Sequence, residues 1–580
     1  MVNWTIDVIM VPVLATLLAP CVGTIVPAWR RGVFTGGHLF SLGLALLVWR
    51  LAPLQTVVDM RAGPLNVQFE LGVTNDTGLG LVLVALLFLV ISTFSRGYVQ
   101  GARHGAAFLA LLLLGQAAVT LVLEANDLFA LYSGLLVFSI VLTSLIGLDF
   151  AAVGERAALR VFATLEVPST LALVGFWLIA TRAGTASLVR LSLAPPVWSE
   201  PGAMISFVPI MVALLARSGI FPVQNWAVVG CRATTAPTAI VVAGVALPLG
   251  ALVLVRLIGV ILPASGPWLT LLALLGASTA VVAGASALQE RSALGWLGNL
   301  AVGQIGLVIV GFAVYSSGSR AAGQLGLIGA ILGVVLSGMG VGIAVRAAQH
   351  PRVAGLAQQP MPWLGRVALG LGLFALVPLP PFPGFTARWL ILVTLLQNPA
   401  PWAALVAVLD VLGTLLLAAA VWKVILDPAE ALNGEFAAES ATYRAPPVSL
   451  VQSSGTARHG AKSDWEIPSV LAGSLIVTGI LSITQPLWLP LPPAELGGWA
   501  GYAALVFLGL AVGGGVAWHT TVTAPAWLNW LGWAISWGNR RLRLGQLCDP
   551  YVVIGGSLMA AGQLSAGILN QTLGRLARSR

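Results

Sequence analysis

The run Ala216–Ala239 reads A-R-S-G-I-F-P-V-Q-N-W-A-V-V-G-C-R-A-T-T-A-P-T-A. It lies among long apolar segments, breaks at Pro222, carries Arg217 just ahead of the break and meets a further proline at Pro237. Hydrocarbon holds no water to satisfy freed backbone groups, so a broken helix at membrane depth must be enclosed by protein or line a polar cavity. A charge at that depth costs several kcal/mol and marks a candidate functional site. A second interruption, Ala375–Ile391, reads A-L-V-P-L-P-P-F-P-G-F-T-A-R-W-L-I and sets Pro380, Pro383 and Gly384 ahead of Arg388. Two broken segments at corresponding places suggest an inverted-repeat core with its path at the breaks, as in transporters and ion-conducting subunits.

The rest of the chain agrees with a membrane setting. Of its 580 residues 58% are hydrophobic and only 8% charged, and the mean hydropathy is +0.95. These values exclude a soluble enzyme. Apolar stretches of spanning length recur from end to end, about 15–16 of them, with centres near Val13, Leu42, Ala85, Leu112, Phe138, Leu173, Val212, Ala246, Leu274, Val302, Gly333, Leu371, Leu412, Ile476, Leu508 and Ala560. The first is not expected to be a signal peptide, since no basic region precedes it. The net charge of +9 does not call for nucleic acid, because the arginines are distributed over short alternate connections. By the positive-inside rule, that asymmetry puts the N-terminus outside and the Arg-rich loops in the cytoplasm of a multi-pass protein of the cell inner (plasma) membrane.

No cofactor or metal motif is present. Cys21, Cys231 and Cys548 are scattered, which suits packing rather than a disulfide or ligand set. There is no phosphate-binding glycine loop, Cys/His cluster or nucleophile elbow, so no cofactor and no metal are expected in this chain. The glycines, among them Gly333, Gly338, Gly340 and Gly342, read as points of close helix packing. A polar segment from Asp427 to Trp465 separates a core from a C-terminal appendage. In that appendage Trp527, Trp530, Trp533 and Trp537 precede Arg540, Arg541 and Arg543. This pattern fits an amphipathic helix lying in the cytoplasmic interface.

Five stretches, in order, resemble the antiporter-like proton-translocating membrane subunits of respiratory complex I, a family shared with Mrp antiporters and membrane-bound hydrogenases. They are F-E-L-G-V-T-N-D-T-G-L-G-L (Phe69–Leu81) with S-R-G-Y-V (Ser95–Val99), N-D-L-F-A-L-Y-S-G-L-L…L-I-G (Asn126–Gly147), the broken run Arg217–Ala239, Q-E-R-S-A-L-G-W-L-G-N-L-A-V-G-Q-I-G (Gln289–Gly306) and P-P-F-P-G-F-T-A-R-W (Pro380–Trp389). The resemblance implies an all-α polytopic fold with two inverted repeats of about five helices each, each holding an interrupted helix. The expected divisions are residues 1–100 (N-terminal helices), 101–260 and 261–426 (the two repeats), 427–466 (polar loop) and 467–580 (C-terminal helices with the lateral amphipathic helix). It also implies partners: other membrane subunits of a multi-subunit complex and the lipid bilayer.

Such subunits move protons along buried lysines, histidines and glutamates, and here the resemblance fails at most of those positions. Matched by motif, the fifth-helix glutamate falls on Leu136, the seventh-helix lysine on Arg217, a later histidine near Val245, the next lysine on Arg291, and the late lysine or glutamate on Arg388. A histidine and lysine one turn apart fall on Gly329 and Gly333. The only lysines are Lys423 and Lys462, and the histidines, His38, His104, His350, His459 and His519, read as span-end or loop residues. Arginine keeps its proton, so it does not relay one by titrating. The acids that remain in or beside the core spans are Glu124, Asp127, Glu166 and Asp410; Glu166 is expected to pair with Arg217, and Asp410 to face Arg388. Proton or ion path candidates are therefore Glu124, Glu166, Arg217, Arg291, Arg388 and Asp410. Three readings follow: a non-catalytic structural or coupling subunit of a complex I-like NADH-quinone oxidoreductase with an impaired path, a conducting subunit using the Glu166/Arg217 and Asp410/Arg388 pairs with water chains, or a stand-alone cation/proton antiporter.

Overall fold

A computed structural model describes residues 4–25, 29–62, 65–99, 104–148, 154–193, 201–261, 267–314, 317–349, 363–377 and 382–426. The polar segment from Asp427, the tryptophan-rich run and the last three expected spans lie outside the described residues, as does Pro380. In chain order the elements are α1 (Trp4–Ile25), α2 (Trp29–Leu51), β1 (Leu54–Ala62), β2 (Leu65–Val73), α3 (Asn75–Val99), α4 (Gly105–Glu124), α5 (Leu128–Leu148), α6 (Gly154–Ala183), α7 (Leu188–Leu193) and α8 (Pro201–Arg217). After them come α9 (Asn225–Arg232), α10 (Ala236–Val241), a π turn (Val242–Ala246), α11 (Leu247–Ile261), α12 (Pro267–Gln289), α13 (Ala293–Ala313), α14 (Ser317–Gln349), α15 (Trp363–Leu376), α16 (Pro383–Gln397) and α17 (Pro401–Leu426). Among the described residues 10 helices are long and apolar enough to cross a membrane. Ten of the first thirteen expected span centres lie in these helices, and Val13, Val212 and Leu371 lie in the shorter apolar helices Thr5–Leu18, Ser206–Arg217 and Val367–Leu376.

α13 is buried along its whole apolar length and forms the centre. It packs against α12 and α14; α12 also lies on α17, and α14 on α15 and α16. On the other flank α6 packs against α5 and α8. Large apolar side chains such as Leu159, Leu171, Val174 and Trp177 on α6 remain exposed, which in lipid carries no penalty because the solvent is itself apolar.

One element departs from an all-helical reading. β1 and β2 form an antiparallel hairpin, Leu54 opposite Val73 and Ala62 opposite Leu65. The cause is legible in β2, where Leu65, Val67, Phe69, Leu71 and Val73 alternate with Asn66, Gln68, Glu70 and Gly72, a period of two that a helix does not tolerate. The segment from Phe69, which the family resemblance makes the start of the third helix, is strand as far as Val73. The helix begins after Thr74, whose Oγ1 accepts from Thr77 N at 3.3 Å as an N-cap does. The hairpin docks on the α4–α5 connection, with Asn126 N donating to Glu70 O at 2.7 Å. Asp127 then caps α5, its Oδ1 accepting from Phe129 N and Ala130 N, and its Oδ2 from Glu70 N, each at 2.8 Å. Burial pushes the Asp127 carboxyl above the usual carboxylate range, against the pull of these three donors.

Candidate functional site: two arginines at helix breaks

The first break begins where α8 ends. Gly219 takes φ +64, a left-handed conformation open to glycine, and the Phe221–Pro222 peptide is cis. α9 follows, and Pro237 sits in the first turn of α10, where its missing N–H costs nothing. Gly250 of α11 crosses so close to the Arg217 carbonyl that a Cβ there would collide with it. The break leaves orphan backbone groups, and other elements satisfy them: Trp226 Nε1 donates to Ala216 O at 2.8 Å, and Phe221 N donates to Thr279 Oγ1 at 2.9 Å.

Arg217 therefore turns away from its own break. Its Nη2 donates to Glu166 Oε1 of α6 at 2.5 Å, Nε to Ser169 Oγ at 2.9 Å, and Nη1 to Ser139 Oγ of α5 at 3.0 Å. A long bond of 3.4 Å reaches Leu135 O. Arg217, Glu166, Ser169 and Ser139 are all buried. Two helices thus supply a charge partner and two hydroxyls to one guanidinium, which is what removing it from water demands. A cavity of about 10 Å³ borders Arg217, walled by Phe138, Leu142, Leu165, Trp226 and Leu249; that is room for about one water molecule.

The second break separates α15 from α16. Pro383 opens α16 at a position that tolerates proline. Arg388 Nη2 donates to Gln304 Oε1 of α13 at 2.7 Å, while Gln304 Nε2 donates to Leu376 O, the last residue of α15, at 2.9 Å. One amide thus holds the guanidinium and the freed carbonyl together. Asp410 of α17 stands 3.9 Å from Arg388 Nη1. Both its oxygens are buried without a hydrogen-bond partner among the described residues. At an effective dielectric of 20 this separation is worth about 4 kcal/mol of attraction, so the pairing is by charge and not by a shared proton.

The helix facing this second break is α14. A Cβ at Gly329 would stand 3.2 Å from Gly384 N, and one at Gly333 would stand 2.8 Å from the Leu376 side chain. These glycines let the backbones of α14 and of both α15 and α16 close on one another.

The remaining expected residues are dispersed. Glu124 ends α4 fully buried, both carboxylate oxygens without a partner among the described residues. Arg291 is exposed in the α12–α13 connection, beside Glu290, which takes Arg232 as its ion-pair partner. At both breaks a neutral group, and not the arginine, meets the freed carbonyl: Trp226 donates to Ala216 O and Gln304 to Leu376 O, since an indole or amide does so without burying a charge. The expected place of His38 is corrected, since it is buried inside α2 and not at a span end. Arg256 sits on α11 and donates to the terminal carbonyls of α4, Val122 O and Leu123 O, and to Asn126 Oδ1 at 2.8 Å. Gln304, Ser139 and Ser169 carried no signal beyond being polar residues in apolar runs. That alone is informative in a membrane helix.

The family model described as NADH:quinone oxidoreductase/Mrp antiporter, TM, matches residues 125–414, half of the chain. The chain belongs to this family. The matched span runs from the α4–α5 connection to α17 and so contains both breaks and both arginines. Two relatives bear the name NADH-quinone oxidoreductase subunit N. That of Desulforudis audaxviator is 27% identical over 68% of this chain and 80% of its own length. That of Streptomyces griseus is 25% identical over 70% and 86%. Among solved structures, a chain of the Mrp complex from Dietzia sp. DQ12-45-1b superposes with a TM-score of 0.66 at 19% identity, covering 88% of this chain and 100% of that one. A chain of the membrane-bound sulfane sulfur reductase, an archaeal respiratory membrane complex, does so with a TM-score of 0.68 at 16% identity, covering 88% and 99%. The likeness to these two is one of fold: a polytopic antiporter-like subunit.

Proposed function

We propose that this chain is a membrane-arm subunit of a complex I-like energy-converting assembly in the bacterial plasma membrane, and that its broken-helix core couples or braces the assembly without relaying protons itself. The observation that carries the second half is the second break. Gly329 and Gly333, where the family resemblance places a histidine and a lysine, have no side chain to relay a proton and pack closely against Gly384 and Leu376. Arg217 and Arg388 occupy two further relay positions as permanently charged groups held by Glu166 and Gln304. A fixed positive charge in a narrow path opposes cation entry.

The N-terminus is placed outside by the loop charges. Residues 101–260 and 261–426 are the two repeats. The test uses the purified assembly in proteoliposomes, carrying Glu166→Gln with Arg217→Gln so that no charge is left unpaired. Redox-driven proton pumping is expected to match the parent. Loss of pumping in an assembly that still turns over would instead assign conduction to the Glu166/Arg217 pair. Deleting residues 467–580 is expected to block assembly, and an assembly recovered intact and fully active without this chain would refute the subunit reading.

A further inference from the structure

Outside the broken-helix core, α2, α3 and α4 share an interface with an unexpected run of polar groups. α2 contributes Thr35, His38 and Ser41, spaced three apart and so on one face. α4 contributes Gln116, Thr120 and Glu124, one turn apart on its own buried face. His38, Ser41, Gln116 and Glu124 are all 0% exposed. Arg96 of α3 donates to Thr35 Oγ1, one turn before His38. His38 Nδ1 lies 2.5 Å from Gln116 Oε1, and Gln116 Nε2 donates to Ser41 Oγ at 2.7 Å.

The amide decides the ring's chemistry. With its oxygen on Nδ1, that nitrogen must carry the hydrogen, which leaves the Nε2 lone pair of a neutral ring as a proton acceptor. Nε2 is buried and without a partner among the described residues, as are both oxygens of Glu124. From Gln116 to Glu124 is eight residues, ~12 Å along the helix, and Thr120 halves the distance. A trio that only braced helices would satisfy its members. This one leaves its titratable member, His38, with an open valence, and Glu124 two turns further along α4 is left with two, where buried polar groups are ordinarily paired. Other charged groups on the elements packed around His38 are Asp7 on α1, Asp76 on α3 and Arg30, Arg31 and Arg50 on α2 itself, all near helix ends.

We propose that His38 is a proton-accepting site, and that the polar file from His38 and Gln116 along α4 past Thr120 to Glu124 is a proton path in the α2–α4 bundle, separate from the broken helices. His38 Nε2 takes a proton delivered by water, and the same proton leaves by water toward Glu124, so no net charge accumulates. It does not depend on the role proposed for the broken helices.

The experiment uses the full chain, labelled with carbon-13 and nitrogen-15 histidine, in phosphatidylethanolamine/phosphatidylglycerol vesicles. Solid-state NMR follows the imidazoles between about pH 3 and 9, the His38 signal being assigned by its loss in His38→Gln. His38 is expected to pass between the neutral Nδ1–H form and the cation within that range. A ring locked in one form throughout would overturn the proposal, whatever the variants do. In the same vesicles, proton uptake driven by a potassium diffusion potential and read with a trapped pH dye is expected to exceed that of empty vesicles. It should fall about tenfold or more in His38→Gln and in Glu124→Gln. Uptake no greater than in empty vesicles, or unchanged in both variants, would also overturn the proposal.

Discussion

Replacing Glu166 by Gln keeps the shape of the side chain and removes its charge, which leaves Arg217 as an uncompensated cation inside the protein. Breaking a buried pair in this way costs roughly 3–5 kcal/mol. The bonds from Arg217 to Ser169 and Ser139 survive, so the low end, about 3 kcal/mol, is expected. Arg217→Gln strands the Glu166 carboxylate, one oxygen of which already lacks a partner, at a similar cost. The double substitution leaves two neutral amides able to bond to each other and to the same hydroxyls. It therefore should cost less than the two singles together, with a coupling energy of about 2–3 kcal/mol, at the upper end of what cycles of contacting residues give. Chemical-denaturation midpoints of the purified chain in mixed micelles, read by tryptophan fluorescence, measure all four corners of the cycle. Additivity within about 0.5 kcal/mol would refute the ion pair as the element that holds α6 to α8.

Three further outcomes follow from the same geometry. Gln304→Leu removes the partner of both Arg388 and the Leu376 carbonyl and should lower stability by about 2–4 kcal/mol, since each buried group left unmet costs about 1–3; the same denaturation assay reads it. Gly333→Val drives a branched side chain into Leu376 and should cost at least ~1–3 kcal/mol, whereas Gly370→Ala, whose Cβ meets nothing within 4 Å, should be neutral or stabilising. Asp127→Ala removes the cap of α5 and the acceptor for Glu70 N, with an expected loss of about 0.5–2 kcal/mol and faster hydrogen exchange at Phe129 and Ala130.

Part of the site was legible because its cause is local. Pro222 and Pro383 cannot continue a helix, and an arginine in an apolar run needs a partner wherever the chain goes. The pairings of Arg217 with Glu166 and of Arg388 with Asp410 follow from charge scarcity: few acids occupy the core spans, so each buried cation has few candidates. Gln304 was not legible, because a neutral amide is tolerated at many positions and only the crossing of α13 with the second break gives it two partners. The place of His38 was not legible either, because the partner that meets its ring, Gln116, comes from α4, 78 positions away.

The sequence by itself determined the class of molecule, the positions of the spans and the two breaks, since these depend on hydropathy over one turn after another and on the missing N–H of proline. It held the hairpin too, in the alternation of Leu65–Val73, though long apolar surroundings concealed a period of two. What only the tertiary structure decided is which polar groups meet. Arg217 facing Glu166, Gln304 bridging Arg388 to Leu376, and His38 meeting Gln116 join residues 51, 84, 72 and 78 positions apart. No local pattern specifies such pairs. They are set by how helices seat on one another, and in a membrane that seating is governed by small residues such as Gly250, Gly329 and Gly333, whose absent side chains let the backbones approach.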